Sequence, residues 1–235
     1  MKKTLIISLF ALVFIYSFTP QDVPNSFTDS RDGKVYNTVT IGDQVWMAEN
    51  LAYLPVVVGS AIGSEEPGYE SVQYFYVYGY NGTVVADAKA TDNYQTYGVL
   101  YNWPAAMTAC PDGWHLPSDA EWKQLEIHLG MSQEDTNKDG YRATDEGGKL
   151  KELGTTHWKN PNEGATNESG FTAVPGGYRF DTGKFNFSGF YGNWWSSTQG
   201  REDRAWNRGL DYDYSNLIRS DDPKEEGYSV RCVRD

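Results

Sequence analysis

The residues with the clearest capacity for chemistry lie at 135–146. Asp135, Asn137 and Asp139 alternate, Gly140 follows, and Glu146 closes a twelve-residue stretch. This spacing satisfies the calcium-loop pattern D-x-[DN]-x-[DN]-G-x5-E. Calcium takes about six to eight oxygens. The alternating side chains would supply three, the Tyr141 carbonyl a fourth, and Glu146 two more. Arg142 sits where such loops carry an apolar residue, and Gly147-Gly148 oppose the helix that should follow. A solvated acidic turn is the other arrangement this stretch allows. Calcium is the only cofactor the sequence suggests, and none is required.

Cys110 and Cys232 are the only cysteines, 122 positions apart. In an exported chain a lone pair forms a disulfide, and a loop this long contributes about 4–5 kcal/mol in the chain-entropy account. Two free thiols are the alternative. His115, His128 and His157 form no HxH or HExxH pair, which argues against zinc. There is no G-x-S-x-G, phosphate-binding loop or dinucleotide fingerprint. The chain therefore reads as non-catalytic.

Aromatic rings are the remaining candidates, because they stack on sugar faces while polar neighbours orient hydroxyls. Two sets qualify. One is Tyr76, Tyr78 and Tyr80; the other is Trp206, Asn207, Arg208, Tyr212, Tyr214 and Asn216. Trp46, Trp114, Trp122, Trp194 and Trp195 read as packing residues instead.

These residues need a frame and a location. Lys2 and Lys3 precede an apolar run at 5–18 (LIISLFALVFIYSF), the length of a signal segment and too short to span a bilayer comfortably. We expect a signal peptide at 1–19, a linker at 20–28, and one domain at 29–235. The expected location is secreted, periplasmic or cell-surface, with no N-terminal lipid anchor and no further membrane span. The net charge of −12 excludes nucleic acid and anionic lipid as partners and leaves a polysaccharide or an extracellular protein.

Eight Trp, 17 Tyr and 24 Gly favour short strands and tight turns. The alternation at 35–41, Gly42-Asp43, and 44–47 predict a hairpin. The stretch 74–80 predicts a strand with Tyr74, Tyr76, Tyr78 and Tyr80 on one face, ended by Asn81-Gly82. Ser118 with Glu121 makes a capping box, and Trp122, Leu125 and Leu129 recur at helical spacing, so a helix is predicted at 119–129. A second short helix is expected near 104–108. The stretch 170–235 reads as short strands and long loops.

Several ordered motifs resemble one family. They are 38–51 (TVTIGDQVWMAENL), 97–103 (YGVLYNW), 110–122 (CPDGWHLPSDAEW), 147–150 (GGKL), 170–179 (GFTAVPGGYR), 194–198 (WWSST) and 227–235 (GYSVRCVRD). Together they resemble the Fibrobacter succinogenes major paralogous domain. The resemblance implies an exported α+β domain similar to the C-type lectin and formylglycine-generating enzyme group, with one or two helices, long loops and neighbouring chain ends. It carries no activity with it. Formylglycine-generating enzymes bind copper through two closely spaced cysteines, which this chain lacks, so that chemistry is rejected. A ligand-binding exoprotein is the expectation. A structural or adhesive exoprotein and an enzyme on the same fold are the alternatives.

Overall fold

In the computed structural model the described residues are 25–63, 71–142 and 144–235. The expected signal peptide at 1–19 and most of the linker lie outside them.

The predicted hairpin forms as β2 (Val35–Ile41) and β3 (Gln44–Met47), with Ile41 opposite Gln44. Gly42, at φ +62°, makes the two-residue connection. β1 (Ser26–Thr28) adds to one side of this hairpin. β13 (Val233–Arg234) adds to the other, and β6 (Trp114–His115) follows it. The first described strand and the last thus share one antiparallel sheet. Cys110 and Cys232 are joined, with Cα atoms 5.9 Å apart, beside this sheet.

The second sheet has the order β10 (Tyr191–Gln199), β11 (Arg204–Asp211), β12 (Leu217–Pro223) and β7 (Gly140–Arg142). Its first three strands run nine, eight and seven residues, while the other strands within 170–235 are two residues long, as the short-strand reading expects. β4 (Phe75–Tyr76) pairs with β5 (Leu100–Tyr101), and β8 (Tyr178–Arg179) with β9 (Phe185–Asn186). The predicted strand at 74–80 is therefore two residues long. The chain turns at Tyr78-Gly79, ahead of Asn81-Gly82.

α1 (Val85–Lys89) and α2 (Asp92–Tyr97) were not anticipated; Thr91 caps the second. α3 (Trp103–Ala106) is the expected Pro104 helix, capped by Asn102. α4 (Asp119–His128) carries both halves of the Ser118–Glu121 capping box. α5 (Glu146–Leu150) forms despite Gly147-Gly148. A Cβ at Gly147 would meet the Asn216 carbonyl oxygen at 2.1 Å, and one at Gly148 the Gly164 oxygen at 2.1 Å. The glycines admit backbone against the helix, which outweighs their propensity cost of about 1 kcal/mol each.

Two apolar clusters fill the domain. One gathers Tyr36, Met47, Tyr101 and Trp195; the other gathers Trp46, Trp122, Phe171 and Trp194. Trp114 is also buried, so the five tryptophans read as packing residues do pack. Among the described residues no helix is long and apolar enough to cross a membrane. The domain is α+β, with short helices on mixed small sheets and one disulfide.

Candidate ligand-binding site

Four segments converge at one end of the second sheet. β7 brings Tyr141, β10 begins with Tyr191, β11 ends with Asp211, and the turn before β12 carries Tyr214. Strand register enforces the meeting: Tyr191 pairs with Asp211, and Tyr141 with Ile218. The Tyr141 hydroxyl donates to Asp211 Oδ2 at 2.7 Å, and the Asp213 amide donates to Oδ1 at 3.0 Å. Desolvation first, then the Asp211 carboxylate it faces, pushes the Tyr141 phenol far above its ordinary range. The Tyr141 and Tyr214 rings lie 4.9 Å apart, and each residue is 49% exposed.

Lys151 holds this end from beneath. It is fully buried, and its Nζ donates to the carbonyls of Glu163 (2.7 Å), Asp211 (3.0 Å) and Tyr214 (2.9 Å). Those three bonds use all three ammonium donors. Burial pulls the group down to about 8.

The aromatic surface continues from Tyr191 to Phe187 (5.3 Å), then to Tyr178 (5.5 Å, stacked) and Phe180 (4.8 Å). Phe187 is 41% exposed and holds φ +66°. A bulky residue in left-handed backbone is strained by about 1 kcal/mol or more, and such strain concentrates at working sites.

The residues expected to bind ligand are placed as follows. Tyr76 is fully buried and its hydroxyl donates to the Ile62 carbonyl, so it is removed from the surface. Tyr78 is half-buried against Phe185, and Tyr80 donates to the Val84 carbonyl. They share no exposed face with Tyr76, because the strand ends at Tyr76. Trp206 is half-buried beneath the Arg219 guanidinium, 3.4 Å from its ring. Asn207 and Arg208 are fully buried and are corrected to interior roles. Asn207 donates to Asp222, and Arg208 to Asp119 and Glu126. Tyr212 is half-buried against Phe190. Asn216 is half-buried, its carbonyl against Gly147. Tyr214 alone of these joins the exposed band.

The residues of the calcium pattern do not converge. Asp135 and Asn137 form a 3-10 turn, and Gly140–Arg142 pairs with β12. Asp135 accepts from Ser132 and Lys138, Asn137 from Lys123, and Asp139 from Arg219. Glu146 is buried and accepts from the Thr144 and Asp145 amides. Tyr141 reaches the aromatic band by its side chain instead. Among the described residues no group of three His, Cys, Asp or Glu is placed to hold a metal.

Beside the band runs a buried ion network. Asp119 accepts from Arg208 and Arg219, and Glu126 from Arg142 and Arg208. Burial works against the Asp119 charge, but hydrogen bonds from Arg219 and the charge of Arg208 hold its carboxyl well below the usual range. His115 is bracketed by Asp235 (2.5 Å) and Glu121 (2.7 Å). Tyr191, Asp211, Phe187, Tyr178 and Lys151 were not singled out from sequence. They come from separate segments, and no local spacing links them.

Fold and surface together define a disulfide-closed α+β domain that presents an aromatic band at one sheet end. The sequence profile of the Fibrobacter succinogenes major domain matches residues 39–234. The chain belongs to that family, whose description names a domain and no activity. No curated protein and no solved structure matches the chain. Kinship with the C-type lectin group therefore stays an expectation of the sequence.

Proposed function

We propose that this is an exported, non-catalytic binding domain whose site is the aromatic band and whose ligand is a neutral polysaccharide. One observation carries the reading. The aromatic residues among the exposed large apolar side chains of the described residues are Tyr141, Phe187 and Tyr214, and all three lie in this band. Their rings offer apolar faces to sugar C–H groups, and the neighbouring phenols offer hydrogen bonds. The net charge of −12 favours a neutral chain over a polyanion. The leader at 1–19 and the disulfide fit an oxidising compartment.

Affinity electrophoresis against neutral and anionic soluble polysaccharides tests this. Retardation by a neutral glycan is expected, weakened about tenfold in Tyr214→Ala, which corresponds to about 1.4 kcal/mol. Equal retardation of parent and Tyr214→Ala, or none with any neutral glycan, removes the site. New reducing ends in the gel would favour the enzyme alternative.

A further inference from the structure

We propose that Glu226, Tyr228 and Asp222 hold one extra proton between them at neutral pH, and that its loss in alkaline solution loosens the Tyr178 end of the aromatic band. The argument starts from counting protons. The Tyr228 hydroxyl lies 2.9 Å from Asp222 Oδ2 and in closer contact with Glu226 Oε2. A phenol has one proton and cannot donate to both oxygens. Asp222 Oδ2 also accepts from the Asn207 amide Nδ2 at 2.8 Å, which fixes it as an acceptor. Tyr228 therefore donates to Asp222. Its contact with Glu226 needs a proton on Glu226, donated to the phenol oxygen.

The surroundings favour that neutral acid. Glu226 is 8% exposed and Tyr228 2%. Asp222 and Arg204 face Glu226 from the second sheet, Asp181, Tyr178 and Arg179 from the β8 side, and Tyr228 from its own segment. Among the described residues no lysine or arginine stands within 4.0 Å of either carboxyl group. Arg204 donates to the Asp221 carbonyl, and Arg179 to the carbonyls of Ser60, Ile62 and Glu225. Burial is the largest influence, reinforced by Asp222 and Asp181, and the Glu226 carboxyl is pushed up to about 8.

The cluster touches the band directly. Tyr178 packs edge-on against Tyr228 at 5.5 Å and stacks on Phe187. Once the proton leaves, two carboxylates face a single phenol proton beneath Tyr178. This second half rests on reading the band as the binding site; the stored proton does not.

Assigned carboxyl NMR on the purified protein tests the proton without a variant. Glu226 should titrate several pH units above an ordinary glutamate; titration in the ordinary range overturns the proposal. Thermal melts give an independent arm. A raised folded-state value means the native state keeps a proton the unfolded chain has lost, so stability falls from about pH 4.5 to about 8 and then levels. Glu226→Gln supplies a permanent N–H donor to Tyr228, and its melts should lack that fall. The two curves should separate by on the order of 10 °C across the window. Parallel curves overturn the idea. Where a neutral glycan binds, parent affinity should drop severalfold above pH 8 while Glu226→Gln holds. Equal drops remove the link to the band, and absence of any glycan leaves the NMR and melting arms to decide the proton.

Discussion

Lys151→Met offers the sharpest test of how the aromatic band is built. The substitution keeps an unbranched apolar stem one atom shorter and removes three N–H donors at once. The carbonyls of Glu163, Asp211 and Tyr214 then lose their partner inside the fold. Each buried carbonyl left unmade costs about 1–3 kcal/mol. Relief of the desolvation that holds Lys151 near 8 offsets part of this. The net loss should be about 2–4 kcal/mol. At a urea slope of about 2 kcal/mol/M the midpoint falls by roughly 1–2 M. A pH arm checks the origin of the effect. A depressed lysine is released earlier by the native state, so the unfolded chain holds more protons between about 8 and 10.5, and parent stability should rise across that window. The variant should lack the rise. A midpoint within about 0.3 M of the parent, with the same alkaline profile, would refute the claim that Lys151 organises the Tyr214 turn.

Other consequences follow from particular contacts. Phe187→Gly loses a half-exposed ring but relieves its φ of +66°, so the two terms should offset to within about 1 kcal/mol in urea unfolding while glycan retardation weakens; a loss above 3 kcal/mol would show the backbone there is unstrained. Gly147→Ala drives a Cβ to 2.1 Å from the Asn216 oxygen and should cost several kcal/mol or prevent folding, whereas Gly113→Ala meets no atom within 4 Å and should cost about 1 kcal/mol; similar melting points for the two would contradict the packing. His115 loses some favour for its proton through burial, but Asp235 and Glu121 raise its value. Its ion pairs are complete below the unfolded value near 6.5 and are lost as pH rises through the higher folded value, and His115→Gln should remove that component of a melting profile.

The parts of this fold visible in the sequence are those specified locally. The hairpin at 35–47 has alternation and a two-residue turn. The α4 helix has a capping box and a repeating apolar face. Both appear with nearly the expected bounds. The strands β11 and β12 were hidden because their interiors are polar. Asn207 and Arg208 read as ligand-facing residues, yet they lie inside β11 because Asn207 pairs with Asp222 and Arg208 with Asp119. The glycine pair in α5 reads as a breaker until the Asn216 and Gly164 carbonyls against it are known. The tyrosine run at 74–80 alternates like a strand, but backbone pairing ends at Tyr76. The aromatic band follows the same rule. Tyr214 is found by type, while Tyr141, Tyr191 and Phe187 are recruited by pairing between distant segments.

The position of β13 between β3 and β6 has a consequence for folding. Residues 233–234 are the seam that joins the hairpin at 35–47 to β6 in the middle of the chain. Ordering that sheet needs pairing between segments far apart in the chain, and long-range closure of this kind is slow. Trp46 and Trp114 both lie opposite β13, so its docking covers two indoles at once, and the Cys110–Cys232 bridge holds it there.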